Sequence, residues 1–116
     1  MNNTTPLKKN YEFLRVYKKG KFYVGKYLVL YVLKKRNQTE NRLGISVSKK
    51  VGKSVTRNRL KRLVKESYRA YEERIHTGND IVFVARHTEK IPGYSEIRRE
   101  MKYLLNKLGI FIKNNE

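Results

Sequence analysis

The sequence predicts an α+β fold, a two-layer α/β sandwich in which one mixed sheet of about four strands packs with three helices in the order α-β-β-β-α-β-α. Three observations lead there. Tyr27-Leu28-Val29-Leu30-Tyr31-Val32-Leu33 and Asp80-Ile81-Val82-Phe83-Val84-Ala85-Arg86 are rich in β-branched and aromatic residues and carry no helical punctuation. Between them, the stretch from Ser54 to His76 gathers Leu60, Leu63, Val64, Ser67 and Tyr71 into a narrow arc of a helical wheel, the stripe of an amphipathic helix. No segment repeats and none is low in complexity, so the 116 residues suit one domain spanning 1–116, with 1–8 and 113–116 expected to be flexible.

Each element follows from local chemistry. Asn10 can cap a helix from Tyr11 to Lys19 that Gly20 ends, and Phe13, Val16 and Tyr17 share one of its faces. Lys21 to Val24 suits a short strand. In the strand 27–33, alternation separates Leu28, Leu30 and Val32 from Tyr27, Val29, Tyr31 and Leu33, and the wholly aliphatic face is the better floor for a core beneath the helices. Polar residues from Lys34 to Arg42 carry a turn. From Leu43 to Lys49, Ile45 and Val47 point one way, while Gly44, Ser46 and Ser48 leave the other face small enough for a backbone to approach. Ile91-Pro92-Gly93 makes a turn, and Ser95 caps a last helix reaching Leu108.

Composition narrows the function. Lys and Arg number 28 against 10 Asp and Glu, a net charge of +18 whose field steers the chain toward phosphate backbones or anionic membranes. No apolar run is long enough to span a bilayer and Met1 to Pro6 lacks a signal-peptide core, so the expectation is a cytoplasmic protein without a membrane partner. The absence of cysteine excludes a disulfide frame, a cysteine-based zinc site and a thiol nucleophile. Metal-dependent nucleases need clustered carboxylates. Here Asp80 stands alone, Glu72 and Glu73 diverge on a helix, and Glu96 and Glu100 read as a surface pattern with nearby cations. His76 and His87 are the only histidines and do not read as a catalytic pair, so no catalytic residue and no metal ligand are assigned to the chain.

The charge is concentrated. From Lys49 to Arg69 the chain carries nine cations and one carboxylate, in a loop running into the amphipathic helix. Arg59, Lys61, Arg62, Lys65 and Arg69 fall with Asn58 opposite the apolar stripe, Arg57 lies on the border, and Lys49, Lys50 and Lys53 adjoin them. Like charges on neighbouring helical turns repel, and a polyanion would relieve them. Arginine can grip phosphate oxygens in a bidentate fork, where lysine acts as a point charge. Gly52-Lys53-Ser54 is not the end of a nucleotide-binding P-loop, because Val47 stands where that motif needs glycine. What survives is a glycine turn into a helix N-terminus, whose N–H groups suit a phosphate.

The run Lys53-Ser54-Val55-Thr56-Arg57-Asn58-Arg59-Leu60-Lys61-Arg62, followed by Lys65-Glu66, resembles the signature of the bacterial ribonuclease P protein component. The resemblance extends from about Leu7 to Leu108 and includes Gly44-Ile45-Ser46-Val47-Ser48-Lys49-Lys50; Lys65 stands where arginine is common and Ser54 where alanine is frequent. It implies a subunit of an endoribonuclease whose chemistry belongs to a catalytic RNA subunit, with Mg²⁺ held mainly by RNA and no obligate protein partner. The implied task is to bind that RNA and the 5′ leader of precursor tRNA, promoting leader removal. RNA-subunit binding then falls to Lys49, Lys50, Lys53, Arg57, Asn58, Arg59, Lys61, Arg62, Lys65 and Arg69, and a left-handed crossover through the basic helix is implied as well. Phe13 and Tyr17, one turn apart, and Tyr31 suit either a core or an open face for base stacking; the resemblance favours leader binding, with Phe22 and Tyr27 as neighbours. The alternative is a ribosomal or other structural RNA-binding protein without a processing role. A DNA-binding module is a third reading, for which base-reading residues beyond Asn58 are lacking.

Overall fold

The computed structural model describes residues 4–113. The elements are β1 (Thr4–Pro6), α1 (Asn10–Lys19), β2 (Lys21–Val24), β3 (Leu28–Lys34), β4 (Asn41–Ser46), α2 (Ser54–Tyr71), β5 (Asn79–Ala85) and α3 (Tyr94–Lys107), with 3₁₀ turns at Lys49–Val51 and Glu72–Arg74. The strands form one mixed sheet in the order β1-β4-β5-β3-β2. β1, β4 and β5 run parallel, while β5–β3 and β3–β2 pair antiparallel.

The α+β class and the three helices agree with the sequence reading, but the sheet has five strands. The extra one lies in a segment expected to be flexible: Thr4–Pro6 pairs with Asn41–Leu43, and Leu7 is buried. Hydrogen bonds invisible to local patterning hold it, the Leu7 N–H donating to the Leu43 carbonyl (2.9 Å) and Thr4 Oγ1 meeting the Tyr68 hydroxyl (3.0 Å). Pro6, with no N–H to give, is tolerated because β1 is an edge strand. The remainder of the expected flexible ends, residues 1–3 and 114–116, lies outside the described residues.

The layering also differs from the two layers predicted. Leu28, Leu30 and Val32 do floor the main core, against Leu60, Val64, Tyr68 and Tyr71 of α2 and Ile97, Met101, Leu104 and Leu105 of α3. On the opposite face α1 builds a second cluster of Leu7, Val16 and Val82, joined by half-buried Phe13, Tyr17, Tyr31 and Leu33. The sheet is thus covered on both sides. The signal was in β5, whose consecutive Ile81, Val82 and Phe83 are all fully buried, as befits a strand with no wet face.

The element ends differ from those expected: a glutamate three residues on sets the start of α1 and of α3, and a distant partner sets the end of α2. Lys9, not Asn10, is the N-cap of α1, with Glu12 accepting its N–H (3.1 Å). Gly93, not Ser95, caps α3, its N–H donated to Glu96 (3.2 Å). α2 stops at Tyr71 because the chain tightens into a 3₁₀ turn that delivers Ile75 to a bridge with Phe111. The small face of β4 does admit a close neighbour, but it is a side chain: a Cβ on Gly44 would sit 2.6 Å from the Phe13 ring.

β4 and β5 are adjacent and parallel, and α2 connects them. Leu43 points into the α2/α3 core while its carbonyl accepts from Leu7, the residue that directly follows β1. For an L-residue on a strand running upward with its side chain toward the viewer, the carbonyl points right, so β1 lies right of β4 and β5 lies left. The crossover through α2, in front of the sheet, is therefore left-handed, against the general preference. No helix among the described residues is long and apolar enough to cross a membrane.

Candidate nucleic-acid interface

β4 ends at Ser46, earlier than expected, and Lys49 and Lys50 stand exposed on the following 3₁₀ turn. Gly52, at φ 156°, then redirects the chain into α2. The N-terminus of α2 has no side-chain cap and no acidic residue in its first turn, so its N–H groups face a wholly cationic surround. Leu60, Leu63, Val64, Ser67 and Tyr71 are buried as the wheel requires, and Tyr68, outside the predicted stripe, is fully buried too. Lys53, Asn58, Arg59, Lys61, Arg62, Lys65 and Arg69 are exposed, and Arg57 is half-buried on the border. Arg57 Nε is buried without a hydrogen-bond partner. Among the described residues the ion pairs join Lys35 to Asp80 and Arg42 to Glu12 and Asp80, so none neutralises this face.

Beside the cationic face, Phe13 and Tyr17 of α1 and Ile45, Ser46 and Val47 at the end of β4 line an open groove of about 410 Å³. Lys8, Asn10 and Lys61 complete the lining. Tyr31 stands behind it, edge-on to Tyr17 with centroids 4.9 Å apart, and continues the aromatic row to Phe22 at 5.6 Å. Phe13 lies 6.5 Å from Tyr17. The three predicted aromatics are brought together, each half-buried, so that each serves both core and groove. Burial pushes the Tyr17 phenol up, with a hydrogen bond to Ser46 acting against it, so the hydroxyl remains a donor at neutral pH.

Phe22 is 59% exposed and belongs to this row, but Tyr27 does not. Its hydroxyl donates to Glu96 (2.8 Å), and its ring packs on the main core. Sequence reasoning missed Lys8, Asn10 and Ser46, although Asn10, Phe13 and Tyr17 share a helical face and Ser46 follows Gly44 on the small face of its strand.

The carboxylates serve structure. Asp80, fully buried, accepts from Arg42 Nε (2.9 Å) and Nη2 (2.8 Å) and from Gln38 (3.0 Å), and Arg42 also pairs with Glu12 on α1. Burial pushes Asp80 up, yet the hydrogen bonds from Arg42 and Gln38 and the nearby cations outweigh it and hold the carboxyl below its ordinary value. Glu100 does not pair with cations as expected; it accepts the N–H groups of Lys26 (2.8 Å), Tyr27 (2.8 Å) and Leu28 (2.7 Å), anchoring the β2–β3 turn to α3. Among the described residues no three His, Asp or Glu side chains cluster as metal ligands.

Comparison with known proteins bears on this arrangement. A family model described as Ribonuclease P matches residues 1–109. The chain is 48% identical over 112 residues to the ribonuclease P protein component of Clostridioides difficile (strain 630), covering 96% of this chain and 97% of that one. It is 51% identical over 106 residues to the one from Clostridium botulinum (strain Loch Maree / Type A3), covering 90% and 95% respectively. The RNase P protein of Staphylococcus aureus superposes with a TM-score of 0.84 at 34% identity, over 91% of this chain and 96% of that chain. For the Thermotoga maritima protein the TM-score is 0.76 at 32% identity, over 88% and 96%. A cationic helix entered from a parallel strand, an adjoining aromatic groove and matches along almost the whole length lead to one conclusion: the chain belongs to the ribonuclease P protein component family, the protein subunit of the ribonucleoprotein endoribonuclease that processes tRNA 5′ ends.

Proposed function

We propose that the cationic face of α2, with Lys49, Lys50 and Lys53, binds the RNA subunit, and that the groove of Phe13 and Tyr17, backed by Tyr31, holds the unpaired 5′ leader of precursor tRNA. The observation that carries this reading is Lys61, which belongs to the basic helix and also lines the aromatic groove. One surface can therefore hold a folded RNA by its phosphates and pass a single strand across aromatic rings. The RNA supplies the chemistry and holds most of the Mg²⁺. The protein holds and orients: Arg57, Arg59 and Arg62 grip phosphate oxygens, and the half-buried rings fix where leader bases lie. This work is done by one RNA-binding domain in the cytoplasm.

The test is cleavage of a precursor tRNA by a bacterial ribonuclease P RNA at low Mg²⁺, with and without the protein. Correct 5′ cleavage only in its presence is expected. Binding of both RNAs without any gain in cleavage would replace this reading with that of a structural RNA-binding protein.

A further inference from the structure

At the opposite end of the sheet from the aromatic groove lies a second cavity, of about 550 Å³. The groove opens at Ser46, beside Val84 at the C-terminal ends of β4 and β5, whereas the cavity opens at Asn79, where β5 begins. Five residues of strand separate the two levels, about 16 Å. We infer that this cavity is a binding site for a nucleoside phosphate, free or as a nucleotide of a bound RNA, separate from the leader groove.

The rim is cationic. Lys19, Lys21 and Lys34 converge there from α1, β2 and β3, together with His76, and no Asp or Glu lines the cavity. None of the three lysines enters an ion pair among the described residues. Lys19 sits in the last turn of α1, where the helix dipole favours a cation, but Lys21 and Lys34 are strand residues with no such reason to be there. The floor is apolar, built by Val32, Leu108 and Ile110. A free inorganic anion gains nothing from such a floor, whereas a nucleotide can lay its base on it while the phosphate meets the ammonium groups. The volume falls in the range of small-molecule sites. Thr77 and His76 add hydrogen-bonding groups at the edge, within reach of a ribose or a base. The wall is fixed in advance: Lys34 pairs with Asn79 in the sheet, Asn79 donates to the His76 carbonyl (3.0 Å), and His76 N–H donates to the Ile110 carbonyl (2.8 Å).

The test uses the isotope-labelled full-length protein alone, titrated with adenosine monophosphate and separately with inorganic phosphate at fixed ionic strength, and read by amide chemical shifts. The expected result is saturable shifts with the monophosphate at Lys21, Thr77 and Gly109. Binding should weaken roughly tenfold in Lys34→Gln and in Lys21→Gln, each of which removes one charge-assisted hydrogen bond to the phosphate. Both are exposed surface substitutions, and an unchanged far-ultraviolet spectrum checks the fold. Equal midpoints for phosphate and the monophosphate at these amides would overturn the nucleoside part of the assignment, and shifts confined to α2 and the aromatic groove would overturn the site. Because no RNA cleavage is read, the outcome is independent of the test of the leader groove.

Discussion

Arg42 is the residue on which α1, β4 and β5 meet, since its guanidinium binds the buried Asp80 on one side and Glu12 on the other. Replacing it by alanine leaves Asp80 charged and buried with only Gln38 and the more distant Lys35 (3.9 Å) to satisfy it, and should lower unfolding stability by about 3 kcal/mol in urea titrations. The same pair sets an acid limit. Because the folded-state carboxyl titrates below its ordinary value of 3.8, its stabilisation is full above that value and is lost as pH falls through the depressed one. Stability should drop below about pH 4 in the native chain, and less steeply in Asp80→Asn, a contrast measurable by thermal melts from about pH 6 to about pH 2.5. Gly44 illustrates a second kind of residue-level constraint. Gly44→Ala places a methyl 2.6 Å from the Phe13 ring, which must move; a cost of about 1–3 kcal/mol is expected, together with weaker binding of leader-bearing substrate relative to mature tRNA. An equal loss on both substrates would show that Phe13 serves the core alone. The sequence exposed Phe13, Tyr17 and Tyr31 as a set through their spacing. It could not show Arg42 and Asp80 as partners, 38 positions apart, nor the ring that fills the space over Gly44.

Helix α2 carries the leading element-scale prediction. Arg59 and Arg62 are exposed and unpaired among the described residues, so Arg59→Ala with Arg62→Ala should weaken binding to the RNA subunit and lower the salt slope by roughly 0.7–0.9 for each phosphate no longer neutralised. Affinity measured across a series of salt concentrations decides it, and an unchanged slope would remove these residues from the docking face. Helix α3 carries another. Glu100→Ala orphans three backbone N–H groups of the β2–β3 turn and should cost about 2–3 kcal/mol, whereas a surface carboxylate facing only solvent would cost nothing measurable by denaturation. The helices and long strands were legible because burial imposes a period on each of them. The element ends were less so: α2 yields to a 3₁₀ turn at Glu72 because Ile75 is claimed by Phe111, a partner far along the chain.

At the scale of the whole molecule, a net charge of +18 opposes compaction. Sulfate or phosphate should therefore raise the melting temperature well above that in chloride of equal ionic strength, because anions that bind the folded state stabilise it by mass action. Equal melting temperatures in the two salts would argue against preformed anion sites on α2 and at the cavity of Lys21 and Lys34. By itself the sequence determined the α+β class, the apolar stripe and cationic face of α2, and the Arg57-Asn58-Arg59 run, because amphipathic period and charge sign are properties of neighbours along the chain. Only the tertiary structure decided that β1 joins the sheet, that α1 covers its second face and that Lys61 reaches the aromatic groove. It also placed three lysines around a cavity at the far end of the sheet. These depend on which distant segments meet, which is fixed by the burial and hydrogen bonding of the complete chain rather than by the pattern of any one stretch.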